Sequence, residues 1–105
     1  MRVADYITDF LFKKDIKTSF MLSGTGSVFL DDAFANQKGM EYISARHESA
    51  AVMMAVGYYK LSQKPGVALV TTGPGGANAV GGVVEAWVDS VPVLIISGQV
   101  ESNFL

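Results

Sequence analysis

Three stretches of this chain carry residue types suited to chemistry: Arg46-His47-Glu48, Ser23-Gly24-Thr25-Gly26-Ser27 and Gly73-Pro74-Gly75-Gly76. Glu48 leads them, because it opens the run Ala50-Ala51-Val52-Met53-Met54-Ala55-Val56-Gly57-Tyr58-Tyr59, which has no polar face. A first-turn glutamate complements the positive end of a helix, an effect of about 0.3–1 kcal/mol. In an apolar interface the same carboxylate has its ionised form disfavoured unless it is paired. It then shares a proton strongly with a ligand nitrogen, which is catalytic chemistry. Position alone leaves both roles open. His47 has no second ligand at metal-binding spacing, so it reads as structural, and no metal ligand is assigned. Glu85, in the other apolar helix, reads as a satisfied buried or interface acid.

The glycine stretches support a ligand site without naming the ligand. Gly24-Thr25-Gly26 lies between a strand and a helix, yet Phe29 stands where a dinucleotide fingerprint needs its third glycine. Gly73-Pro74-Gly75-Gly76 lacks the Gly-Lys-Ser/Thr of a phosphate loop, and no Gly-x-Ser-x-Gly elbow occurs. Both stretches let backbone approach a flat ligand at the carboxyl ends of parallel strands, where open α/β sheets bind ligands. Glu48 and residues 73–76 are expected at that same sheet edge.

The elements that must position them follow from periodicity. Val3, Tyr6, Ile7, Phe10 and Leu11 recur at helical spacing, predicting a helix over 3–14 with Lys13 and Lys14 in its last turn. Residues 18–22 read as a strand. Ser27 is expected to N-cap a helix whose inner face is Phe29, Leu30 and Phe34. Further strands are expected at 42–44, 67–71 and 91–97, the last with Pro92 among its first residues. Helices are expected over 47–62 and from the second glycine stretch to about Val88. Helix alternating with strands apolar on both faces predicts an α/β fold, a parallel sheet with helices on both faces.

At 105 residues the chain is one domain at most. Half of it is apolar and 17% is charged, against about 25% in an average domain. A net charge of −2 argues for neither nucleic acid nor an anionic membrane. Without cysteine there are no disulfides, and a reducing, cytoplasmic setting is the simpler expectation. Residues 1–12 do not read as a signal peptide, and the apolar run at 93–96 falls far short of a membrane span.

Two helices are too apolar for their place. A helix apolar all round must be buried all round, yet a sheet covers only one side of residues 50–59 and of 77–88. Gly57, Gly81 and Gly82 cost about 1 kcal/mol each against Ala, which suits sites where another backbone comes close. The missing cover is either the remainder of a longer chain or, the favoured expectation, a second subunit. The chain stops at Leu105 soon after a strand, so a fragment of a larger protein is expected.

Five segments in order, Arg46-His47-Glu48-Ser49-Ala50-Ala51, Lys64-Pro65-Gly66-Val67-Ala68, Thr72-Gly73-Pro74-Gly75-Gly76-Ala77-Asn78, Asp89-Ser90-Val91-Pro92 and Ser97-Gly98-Gln99-Val100, resemble the pyrimidine-binding domain of thiamine-diphosphate-dependent enzymes. The resemblance is to the acetolactate synthase and pyruvate decarboxylase superfamily and covers nearly the whole chain. It implies that residues 1–105 are the N-terminal part of that domain, with the central and diphosphate-binding domains absent. It implies that Glu48 hydrogen-bonds the pyrimidine nitrogen of thiamine diphosphate and drives ylid formation. It places Pro74 and Asn78 near the pyrimidine, gives Thr72 and Gly73 as further cofactor-binding residues, and has Gly24, Thr25, Gly26 and Ser27 facing the cofactor across a dimer. Magnesium and the diphosphate would be held by a Gly-Asp-Gly…Asn segment of a later domain, so the fragment alone should not catalyse. Some relatives keep FAD, but no residue here speaks for it. Gly24-Thr25-Gly26-Ser27 departs from the Gly-x-Pro-Gly of acetolactate synthases, which leaves the substrate open. The implied reaction is decarboxylation of a 2-oxo acid such as pyruvate with transfer to an acceptor, in a homodimer or homotetramer. The alternatives are a simple 2-oxo acid decarboxylase, or a non-catalytic nucleotide-binding or oligomerisation module.

Overall fold

The computed structural model describes all residues from Met1 to Leu105. The chain runs α1 (Val3–Lys13), β1 (Thr18–Met21), α2 (Val28–Asn36), β2 (Glu41–Ser44), α3 (Glu48–Ser62), β3 (Val67–Val70), α4 (Pro74–Val88) and β4 (Leu94–Ser97), with single 3₁₀ turns at Thr25–Ser27 and Ser102–Phe104. The four strands form one parallel sheet in the order β2-β1-β3-β4.

Alternation along the two central strands builds the core on both faces. Met21, Val67 and Leu69 turn to one side and pack with Leu11 of α1 and Phe34 of α2. Phe20, Ala68 and Val70 turn to the other and meet Ala51, Val52, Ala55 and Ala79 of α3 and α4. Every residue of β1 and β3 is buried, including the polar Thr18 and Ser19, whereas all four residues of the edge strand β2 are exposed. The fold class is as expected, an α/β parallel sheet with helices on both faces. No helix is long and apolar enough to cross a membrane.

Several boundaries and roles differ from expectation for identifiable reasons. β4 begins at Leu94, paired with Val67, so Pro92 precedes the strand rather than filling its first residues. The chain is still turning there: Ser90 has φ 54° and the Val91 N–H donates to the Ala86 carbonyl at the end of α4. Glu85 is not satisfied, since its Oε2 is buried without a hydrogen-bond partner. The helices α3 and α4, by contrast, lack cover on one side within this chain, as expected. They cover each other and the sheet, while Met53, Met54, Val80, Val84 and Trp87 stay exposed.

Of the helical glycines Gly57, Gly81 and Gly82, only the last two mark a close approach. A Cβ on Gly82 would stand 2.5 Å from the Val52 Cβ and 2.7 Å from the Ser49 carbonyl oxygen. One on Gly57 would meet nothing within 4 Å. The distance between α3 and α4 is therefore set at Gly82. Gly82→Ala should push the helices apart, an overpacking cost of about 1–3 kcal/mol reduced by about 1 kcal/mol of helix propensity. A lowered thermal unfolding midpoint for the full-length protein is the expected result, and a raised one would show that the two helices separate freely.

Candidate functional site

Because all four strands run the same way, the segments leaving β1, β2, β3 and β4 gather at one sheet edge. α3 begins there. His47 precedes it in extended backbone (φ −153°, ψ 145°), and its Nδ1 accepts from the Ser49 N–H at 3.1 Å. The imidazole thus serves as a helix cap, satisfying one free donor of the first turn. Glu48 is the first helical residue and only 8% exposed. The hydrogen bonds around it belong to its neighbours: Ser49 Oγ donates to the Asn78 carbonyl oxygen of α4, and no protein group donates to the Glu48 carboxylate. Its oxygens are not closed off from solvent, so this carboxylate is available to a ligand N–H.

α4 starts beside it. Gly73 is the N-cap at φ 61°, a left-handed conformation that favours glycine, and Pro74 takes the first helical position, where its missing N–H costs nothing. The expected glycine loop is therefore mostly the first turn of a helix. Gly73, Pro74 and Asn78 are exposed, and a Cβ on Gly73 would meet nothing within 4 Å.

The first loop is held more tightly. Thr25–Ser27 is a 3₁₀ turn closed by the Ser27 N–H on the Gly24 carbonyl at 3.2 Å. Ser27 occupies the N-cap of α2 as expected, but its side chain makes no capping bond. Its single hydroxyl proton is instead shared between the Gly24 carbonyl at 3.2 Å and Asp31 Oδ2 at 3.0 Å. The Gly24 N–H also points to Asp31 Oδ2, at 3.3 Å, and the Gly26 N–H donates to Thr71 Oγ1 at 3.1 Å. A Cβ on Gly24 would overlap Thr71, and one on Gly98 would stand 2.2 Å from the Gly26 carbonyl oxygen. Thr72 closes the group by donating to Gln99 Oε1 at 3.1 Å.

The expected residues thus fall into two groups on one edge. Glu48, Gly73, Pro74 and Asn78 stand where α3 and α4 begin, linked through Ser49. Gly24, Thr25, Gly26 and Ser27 pack against Thr71 and Thr72 where β3 ends, and no hydrogen bond joins the two groups. Asp31 and Thr71 were not singled out from the sequence, and Ser49, Gly98 and Gln99 stood there only within the segments that carry the resemblance, without a role. Asp31 left a trace in its spacing, four residues after Ser27 and so one helical turn away. A groove lined by Met21, Gly24, Thr25, Asp31, Tyr42 and Ser44 runs beside the first loop.

Residues 1–105 match the family described as thiamine pyrophosphate enzyme, N-terminal TPP binding domain. The acetolactate synthase large subunit of Haemophilus influenzae is 46% identical over 94 residues, 88% of this chain and 16% of that protein. That of Buchnera aphidicola from Acyrthosiphon pisum is 40% identical over 102 residues, 97% of this chain and 18% of that protein. Among solved structures, benzoylformate decarboxylase from Polynucleobacter necessarius superposes with a TM-score of 0.85 at 30% identity, over 100% of this chain and 20% of its own. The chain therefore spans less than a fifth of the curated relatives named here.

Asp31 carries the one perturbed acid of the site. Burial pushes its carboxyl above the usual value of 3.8, outweighing the opposite pull of the Gly24 N–H and the Ser27 hydroxyl. A raised folded-state pKa means that the native protein binds more protons than the unfolded chain, so stability falls as pH rises from 3.8 through the raised value. Asp31→Asn removes that penalty. Its thermal midpoint should exceed that of the parent near pH 7, and the advantage should vanish below 3.8. A lower midpoint near pH 7 would mean that the charge itself holds the loop.

Proposed function

Because this chain belongs to the thiamine pyrophosphate enzymes, as their N-terminal TPP-binding domain, we propose that the whole protein decarboxylates a 2-oxo acid such as pyruvate and transfers the remaining fragment to an acceptor. The observation that carries the proposal is Glu48, 8% exposed at the head of an apolar helix, whose carboxylate has no protein donor and opens to solvent. Such an acceptor fits the ring nitrogen of an aminopyrimidine, with which it would share a proton. Thiamine diphosphate, when bound, supplies the electron sink that the loss of carbon dioxide requires. Glu48 would hold the proton at the pyrimidine nitrogen. Thr72, Gly73, Pro74 and Asn78 would bear on the pyrimidine, where an absent side chain at Gly73 leaves room. Residues 24–27 would face the cofactor as a rigid wall. The diphosphate and its magnesium would be held by parts of the longer protein outside residues 1–105.

Transfer is favoured over simple decarboxylation by the 46% and 40% identity to acetolactate synthase large subunits. The likeness to benzoylformate decarboxylase supports the second reading, release of the aldehyde without an acceptor. The apolar outer face of α3 and α4, with Val80 56%, Val84 54% and Trp87 84% exposed, supports a second subunit as its cover.

Incubating the full-length protein with pyruvate, thiamine diphosphate and magnesium tests the reaction. Acetolactate as product supports transfer, and acetaldehyde alone supports the second reading. Glu48→Gln should reduce turnover about 10²–10⁴-fold with folding and association intact. Unchanged turnover would return Glu48 to helix capping. Met54→Glu combined with Val84→Glu should shift the sedimentation equilibrium towards monomer. Phe29→Glu, at an exposed position of α2, should not; equal behaviour of the two variants would place the interface elsewhere.

A further inference from the structure

The proposed reading gives residues 24–27 a wall to form but leaves open what keeps that wall in place on its own side of the sheet. Three of the loop's supports come from the far end of the chain: Thr71, Thr72 and Gly98 press on Gly24 and Gly26 from β3 and β4. The fourth is Asp31, one turn into α2. A single carboxylate oxygen, Oδ2, lies within reach of both the Gly24 N–H and the Ser27 hydroxyl, the two ends of the turn. The other oxygen, Oδ1, is buried without any partner. A half-buried carboxylate with one oxygen enclosed and unpaired is costly, and burial is the dominant influence on its ionisation. An isosteric amide would make the same two contacts without that charge. Within the loop the Gly24 carbonyl already serves the Ser27 N–H and shares the Ser27 hydroxyl, and the Gly24 N–H has Asp31 as its acceptor.

We propose that Asp31 is a positioning residue, fixing the 24–27 turn in the shape that meets the cofactor. The role rests on the reading that this chain binds thiamine diphosphate. Asp31 does not touch the reacting atoms. It acts through Gly24 and Ser27, and what it supplies is an acceptor at one point in space rather than a negative charge. Asn at this position should therefore serve, and Ala should not.

The test measures thiamine diphosphate affinity by titration calorimetry on the full-length protein with magnesium, alongside steady-state kinetics with the cofactor varied. Asp31→Ala should weaken cofactor binding about tenfold, as expected when roughly 1.4 kcal/mol of loop ordering must be supplied on binding. The loss should appear in the KM for the cofactor more than in kcat at saturation. Asp31→Asn should restore affinity to within about twofold of the parent, a rescue that general destabilisation does not predict. Should Asp31→Ala fold poorly, Ser27→Ala removes one of the two donors without emptying the site and should weaken binding in the same direction. Parent-like affinity in Asp31→Ala, or equal loss in the Ala and Asn variants, overturns the positioning role while leaving the function proposed above intact. If the parent protein itself binds no thiamine diphosphate, that function fails and the positioning role fails with it.

Discussion

Everything at the candidate site depends on the strands being parallel. Parallel neighbours cannot be joined by a tight turn, so each connection must cross over a face of the sheet as a helix. The crossovers of this chain cover both faces and bury β1 and β3 completely. The same constraint sends every strand towards one edge and starts every following helix there. Glu48 at the head of α3, Gly73 at the head of α4 and the turn before α2 are neighbours for that reason alone. No hydrogen bond is needed to bring them to one edge, and none joins Glu48 to the first loop.

Within that edge, backbone proximity does the positioning. Glycines at 24, 26 and 98 let the loops after β1 and β4 lie against each other and against Thr71, at separations that a Cβ would not permit. Gly82 does the same for the two helices behind them. Gly57 differs: nothing in this chain approaches it, and it lies on α3 with the exposed Met53 and Met54. Its absent side chain therefore has no account in the chain's own packing. It is consistent with a neighbour that comes as close as α4 does on the other side.

The elements were legible because the code for them is local. Continuous apolar runs bounded by Lys64-Pro65-Gly66 or Gly73-Pro74 mark buried strands and the turns between them, and Glu48 was legible as the acid that heads a helix with no polar face. Ends of elements were harder, since they are set by partners. Thr71 lies outside β3 because the ladder to β4 ends at Val70 opposite Ser97, and Leu94 begins β4 because it is the residue opposite Val67. The supports of the site were hidden for the same reason. Gly98 has meaning only against Gly26, and Ser49 only against Asn78. Asp31 reads in sequence as an acid complementing a helix start, and only the fold reveals which donors reach it. Glu85 was misread in the opposite direction, because an acid in an apolar helix was assumed to find a partner.

The 24–27 turn also illustrates how sequence separation enters a site. Its bond to Thr71 spans 45 residues, and its contact with Gly98 spans more, whereas its bonds to Asp31 span seven and four. Closing the longer loops costs chain entropy that the shorter ones do not. The distant supports exist only once β3 and β4 have joined the sheet, so the turn becomes rigid as the last strands dock. Glu48, by contrast, needs the cap that His47 supplies and α3 packed on β1, β3 and α4. A chain halted before β4 pairs would already hold its acid in place and still lack a firm surface opposite, which makes order in this turn a marker of completed folding.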